Sequence, residues 1–277
     1  MAVTVRKFGV EIEGYTDGYV DSISVNGEYW EAKGDGSLDQ DFEMYGREVV
    51  SPPIYDTSQI EEAYRVLKGD HGWHINGYKD RSRRSDAGLH IHVDAGDYGE
   101  LDVYKMMTLI MAVEPIIYSL THESRPSNCY SQSMLSYSSD VRRVLRKGEP
   151  ETNVLSRRFE YIPNGNRSGL NLNALSGHGS IEFRYFYPQM EAEKVIQYVE
   201  IVTRLVDFVK AASSDQIHLL ARAIIEASSF DKACEILEET IALPFNLAAL
   251  KENDYYERWA NQYSSILLEM PALQQAQ

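Results

Sequence analysis

The segment KFGVEIEG, residues 7–14, decides how this chain is read. Taken with a period of two, Phe8, Val10 and Ile12 point one way, while Glu11 and Glu13 point the other. Two later segments repeat the arrangement. In GLHIHVD (88–94), Leu89, Ile91 and Val93 alternate with His90, His92 and Asp94; in GSIEFRYF (179–186), Ile181, Phe183 and Tyr185 alternate with Ser180, Glu182 and Arg184. Each strand has one face fit for a core. The other face carries carboxylates, imidazoles and a guanidinium, where solvent-facing strands usually carry Thr, Lys and Ser.

These residue types suit divalent-metal and phosphate chemistry. Carboxylate oxygens are natural ligands of Mg²⁺ or Mn²⁺, and imidazole adds a neutral ligand that Mn²⁺ accepts. Arginine offers a planar fork of donors that matches a phosphoryl group. Carboxylates at i and i+2 on a strand lie roughly 7 Å apart, a spacing for two neighbouring ions more than for one. Each pair has an ordinary reading in isolation: a solvated strand face, a structural histidine pair, a surface ion pair. Three strands sharing one unusual face favour a common site.

Outward from these strands, the first 190 residues are short alternating stretches and turns, interrupted by one helix with Val103, Met106, Ile110, Val113, Ile117 and Leu120 on a single face. After Pro188 the pattern becomes helical. Val195, Val199, Val202, Val206 and Val209 mark one helix, and further segments follow near 216–227, 231–240 and 246–270, the last with Tyr256, Trp259, Tyr263 and Ile266 on one side. Strands first and helices later predict an α+β fold. No Pro/Gly/Ser-rich linker marks the change, so residues 1–277 are expected to form one domain, with 1–190 mainly sheet and loops and 191–277 helical.

Composition narrows the function classes. The chain has 277 residues, 27 Lys+Arg against 42 Asp+Glu and a formal charge of −15, which argues against a broad nucleic-acid surface. Residues 142–167 run against that trend, with Arg142, Arg143, Arg146, Lys147, Arg157, Arg158 and Arg167 clustered; Arg81, Arg83 and Arg84 form a smaller basic loop. The opening MAVTVRKFGVEIEG lacks an apolar signal region, the stretch from Met106 to Leu120 is interrupted by Glu114 and Pro115, and Cys129 and Cys234 form no CxxC pair. The expectation is a cytoplasmic protein without membrane or disulfide chemistry. HIHVDA has Ala95 where a binuclear metallohydrolase needs its next histidine, and no cupin, HExxH, P-loop or GxGxxG signature occurs.

In this order the motifs resemble the amidoligase family, part of the carboxylate–amine ligase superfamily with glutamine synthetase and glutamate–cysteine ligase. The series is FGVEIEG (8–14), Trp30 and DGSL (35–38), REVVSPP (47–53), GLHIHVD, the EP…SR stretch ending at Tyr130, NRSGLNLN (166–173) and IEFR (181–184) before a long helix; the likeness spans roughly residues 5–213. It implies a glutamine-synthetase-like curved antiparallel sheet with helices on its convex face, and a concave face that binds ATP and two or three Mg²⁺ or Mn²⁺ ions. By position, Glu11, Glu13, Glu48, His90 and Glu182 look like the metal ligands. His92 would lie by the nucleotide phosphates, Arg184 on the γ-phosphate and Asp35 on the acceptor-amine side, with Arg125 and Arg167 on a substrate carboxylate or phosphate. The implied reaction is amide formation through an acyl phosphate, from small-molecule or peptide carboxylates and amines. A non-catalytic assembly protein on the same scaffold and a metal-dependent hydrolase are the alternatives. Two departures stand out: YFYPQMEAEK replaces the family's Gly-Thr turn after the ExR strand, and Ser180 stands where glutamine synthetase has arginine.

Overall fold

The computed structural model describes residues 3–36, 38, 45–75, 87–134 and 167–260. It is an α+β protein with an eight-stranded antiparallel sheet. The strands are β1 (Val3–Thr16), β2 (Ser22–Val25), β3 (Glu28–Gly34), β4 (Tyr45–Val50), β5 (Ile54–Asp56), β6 (Leu89–Asp94), β7 (Leu170–Asn171) and β8 (Ser180–Phe186), in the order β2-β3-β4-β1-β6-β8-β7 with β5 also on β1. The four strands expected from KFGVEIEG, REVVSPP, GLHIHVD and GSIEFRYF are all present. Ser51-Pro52-Pro53 follows β4 directly, because proline has no N–H to donate to the ladder.

The chain divides into two compact units, residues 1–94 with 182–203 and residues 95–181 with 204–277. In the first, β1 is central, pairing β4 on one side and β6 on the other. Val10, Ile12, Trp30, Val49, Ile91, Val93 and Phe183 are buried on the apolar face that alternation predicts. Asn26 and Gly27, with φ of 51° and 86°, close the β2–β3 hairpin between the paired residues Val25 and Glu28. Two successive positive φ values match the right-handed twist of the flanking strands. Helix α1 (Ser58–His71) buries Ile60, Ala63, Tyr64 and Leu67 and ends on Gly72 in the left-handed region. One helix was expected before residue 190; among the described residues α1 is a second and the short α3 (Ala174–His178) a third. The α1 signal was present, since Ile60, Ala63, Tyr64 and Leu67 fall at i, i+3, i+4 and i+7.

In the second unit, α2 (Glu100–Ser119) is buried on every side from Val103 to Ser119, where a single apolar face was expected. Its buried Lys105, Thr108, Glu114 and Ser119 all have partners within the protein. Lys105 Nζ meets Asp102 Oδ1 at 2.9 Å and the Ala212 carbonyl at 2.8 Å, and Glu114 accepts from Met134 N at 2.9 Å and from the Ser133 hydroxyl. Later in the chain, α4 (Ala192–Ala211), which runs from the first unit into the second at Thr203–Arg204, carries the valine series, with Val195, Val199, Val202, Val206 and Val209 all buried. α5 (Ser214–Ile225) is capped by Ser213 with Gln216, and α6 (Phe230–Ile241) by Ser229. Of the helix expected over 246–270, the described residues show a 3₁₀ turn at Ala248–Leu250 and helix from 255 to 260, with Tyr256 and Trp259 buried; Tyr263 and Ile266 lie outside them. Both cysteines are free, and no helix among the described residues is long and apolar enough to cross a membrane.

Candidate active site

Strand register places the polar side chains of the first unit on one face. Glu11 lies opposite His90, Glu13 opposite Glu48, and Gly9 opposite His92. Directly opposed residues on one face have Cβ atoms about 5 Å apart, so these pairs are in reach of one another. β8 adds Glu182 and Arg184. Asp35 follows β3 in a turn where Leu38 N bonds the Asp35 carbonyl at 3.4 Å, and Leu38 is buried with Tyr15 and Ala87.

His90 is the hub, 3% exposed. Its Nδ1 lies 2.9 Å from Glu11 Oε2 and 3.6 Å from Glu182 Oε1, and its Nε2 lies 3.5 Å from Glu13 Oε1. His92 Nε2 lies 3.2 Å from Glu11 Oε1 and 4.0 Å from Glu182 Oε1. Arg184 Nη1 donates to Glu182 Oε1, and Gly88 N donates to Glu13 Oε2. Seven of the expected site residues therefore lie on one face: Glu11, Glu13, Glu48, His90, His92, Glu182 and Arg184.

The carboxylates and imidazoles of this face shift one another's ionisation. Burial pushes the Glu48 carboxyl up, the charges of Glu11, Glu13 and Asp35 push it further, and Lys33 offsets only part, leaving it at about 8. Burial also opposes ionisation of Glu11, but hydrogen bonds from His90 and His92 outweigh it and hold Glu11 well below the usual carboxylate range. For His92, burial favours the neutral ring; the hydrogen bond to Glu11 and the charge of Glu182 prevail and raise its pKa.

The donor set fits hard divalent cations. Three groups offer ligand atoms within 4.8 Å of one another: Glu11 with His92 and Glu182; Glu11 with Glu48 and His90; and Glu13 with Asp35 and Glu48. Oxygen-rich sets with one imidazole, or none, are the chemistry of Mg²⁺ and Mn²⁺. The Glu13–Glu48 opposition, unfavourable between bare carboxylates, is what an ion between them would relieve.

A family model described as "Putative amidoligase enzyme" matches residues 16–206. The chain belongs to the amidoligase family. Among curated proteins, none matches it. The amidoligase match includes Asp35, Glu48, His90, His92, Glu182 and Arg184 and begins after Glu11 and Glu13, which join the face through β1 register.

The remaining expected residues, Arg125 and Arg167, belong to the second unit. Arg125 opens a 3₁₀ turn in the second unit and is 1% exposed, and the Arg167 guanidinium packs 5.3 Å from the Tyr130 ring in that unit. The basic stretch from Arg142 to Arg158 and the cluster Arg81, Arg83 and Arg84 lie outside the described residues. Sequence reading missed Lys33, which stands opposite Glu48 on the same face. The signal was the alternation in EYWEAKG, where Trp30 and Ala32 are core and Glu31 and Lys33 face the other way.

Proposed function

We propose that the chain is an ATP- and divalent-metal-dependent carboxylate–amine ligase that forms an amide bond through an acyl phosphate. The observation that supports it best is the convergence of four carboxylates, two imidazoles and a guanidinium on one sheet face, within a chain of the amidoligase family. On this reading the whole chain acts as a single cytoplasmic amidoligase-like domain, its sheet curved as in glutamine synthetase with helices on the convex side.

Glu11, Glu13, Glu48, His90 and Glu182, with Asp35 at the edge, would hold two or three Mg²⁺ or Mn²⁺ ions, which supply the positive charge a triphosphate and a carboxylate need to approach each other. Arg184 binds the γ-phosphoryl group, and its bond to Glu182 fixes the guanidinium in place. His92, its imidazolium favoured by Glu11 and Glu182, donates to a phosphate oxygen. A substrate carboxylate oxygen attacks the γ-phosphorus as the bond to ADP breaks, giving an acyl phosphate. An amine nitrogen then bonds the acyl carbon and phosphate leaves, with Asp35 accepting the amine proton. Arg125 and Arg167 are assigned to a substrate carboxylate or phosphate.

The test is thermal unfolding with ATP and Mg²⁺ or Mn²⁺. A ligand at 100 times its Kd adds about 2.7 kcal/mol, a shift of several degrees. Identical melting with and without every nucleotide–metal pair would indicate a scaffold protein instead.

A further inference from the structure

Lys33 belongs to the candidate site and none of the roles above uses it. In β3, Lys33 is the direct partner of Glu48, and Glu48 is the direct partner of Glu13 across β4 and β1, so Lys33, Glu48 and Glu13 form one row across three strands. The ammonium lies 3.3 Å from Glu31 Oε2, and both side chains are about half exposed, so neither is locked by packing. Glu31 is on the same face, two residues back along β3 and opposite Val50. A flexible cation thus stands beside the group made by Glu13, Asp35 and Glu48, with a carboxylate within reach on its far side.

We propose that Lys33, held on Glu31 beside the Glu13–Asp35–Glu48 group, is a tethered counter-ion whose charge opposes entry of a divalent cation there. The proposal rests on the metal-site reading above and deepens it: Lys33 is a positioning residue that keeps this group weak for free ions. Lysine suits the role, because it carries a compact point charge that Glu31 holds on the same sheet face as the group. A metal of charge two and an ammonium about 7 Å apart in a water-like dielectric repel enough to change affinity roughly five- to tenfold.

The test is calorimetric titration of the full chain with Mn²⁺ alone, at constant ionic strength, in wild type, Lys33→Met, Lys33→Gln and Lys33→Arg. The expected result is about fivefold or tighter Mn²⁺ binding in the two neutral variants, at one of the sites, and wild-type affinity in Lys33→Arg. Thermal melting checks that each variant is folded, and two neutral replacements guard against one failing. If wild type binds Mn²⁺ and the neutral variants bind equally or more weakly, the counter-ion role is overturned while the metal site stands. If wild type binds no Mn²⁺, the metal-site reading falls and this role falls with it.

Discussion

Titrating the metal-free protein with Mn²⁺ at pH 7 should release about 0.9 proton from Glu48. With a pKa of about 8, this carboxyl is protonated roughly ten to one at pH 7, and a metal ligand must be ionised. Glu11 adds nothing, since His90 and His92 keep it ionised against the pull of burial. At pH 9 the ratio reverses and the Glu48 contribution falls to about 0.1 proton. The assay is calorimetry in two buffers of different ionisation enthalpy, where the difference in heat counts the protons. Glu48→Gln should lower the count at pH 7 by nearly one and leave that at pH 9 almost unchanged. The same group leaves a mark on stability. Its folded pKa lies above its unfolded value of about 4.5, so its contribution is fully present below that value and is lost as pH rises through 8. Metal-free protein should therefore lose melting temperature as pH rises from about 5 to about 8 and level off above that, and Glu48→Gln should flatten that fall. Equal proton counts at pH 7 and 9, or a count that Glu48→Gln leaves untouched, would refute the reasoning.

Three further outcomes are expected. Glu13→Ala or Arg184→Ala abolishes ADP release while circular dichroism stays native; an active Arg184→Ala variant would count heavily against the ligase assignment. Gly14→Ala places a methyl 2.4 Å from Trp73 Cζ2 and 2.8 Å from the His74 carbonyl, and should cost about 1–3 kcal/mol in denaturant unfolding. Asn253→Ala removes bonds from Nδ2 to the carbonyls of Tyr118 (2.8 Å) and Thr121 (2.7 Å) and from Tyr255 N to Oδ1 (2.8 Å). That loss should cost about 2–3 kcal/mol, read from the urea midpoint.

The strands around the site were legible because their alternation is clean. Glu11/Glu13, His90/His92 and Glu182/Arg184 each sit between apolar neighbours, and period two admits one assignment of faces. Register was not legible. Nothing local in REVVSPP states that Glu48 meets Glu13, a pairing set by long-range contacts across β1 and β4. Lys33 escaped for a related reason: a lone lysine on a strand looks like an ordinary solvent-facing residue until its row partner is known. α2 misled in the opposite direction. Its regular apolar positions suggest one face, but Lys105, Thr108, Glu114 and Ser119 are buried as well, made tolerable by partners distant in sequence such as Ala212 and Met134.

The chain passes between its two compact units three times: after Asp94 at the end of β6, between Ile181 and Glu182 within β8, and between Thr203 and Arg204 within α4. Neither unit is a continuous segment. A fragment ending before β8 lacks Glu182 and Arg184, and one starting after residue 94 lacks every other carboxylate and imidazole of the site. Deletion series, which map activity onto modular proteins, would here cut through β8 or α4 at two of the three boundaries before they reported on chemistry. Roles in this protein have to be separated by point substitution in the intact chain.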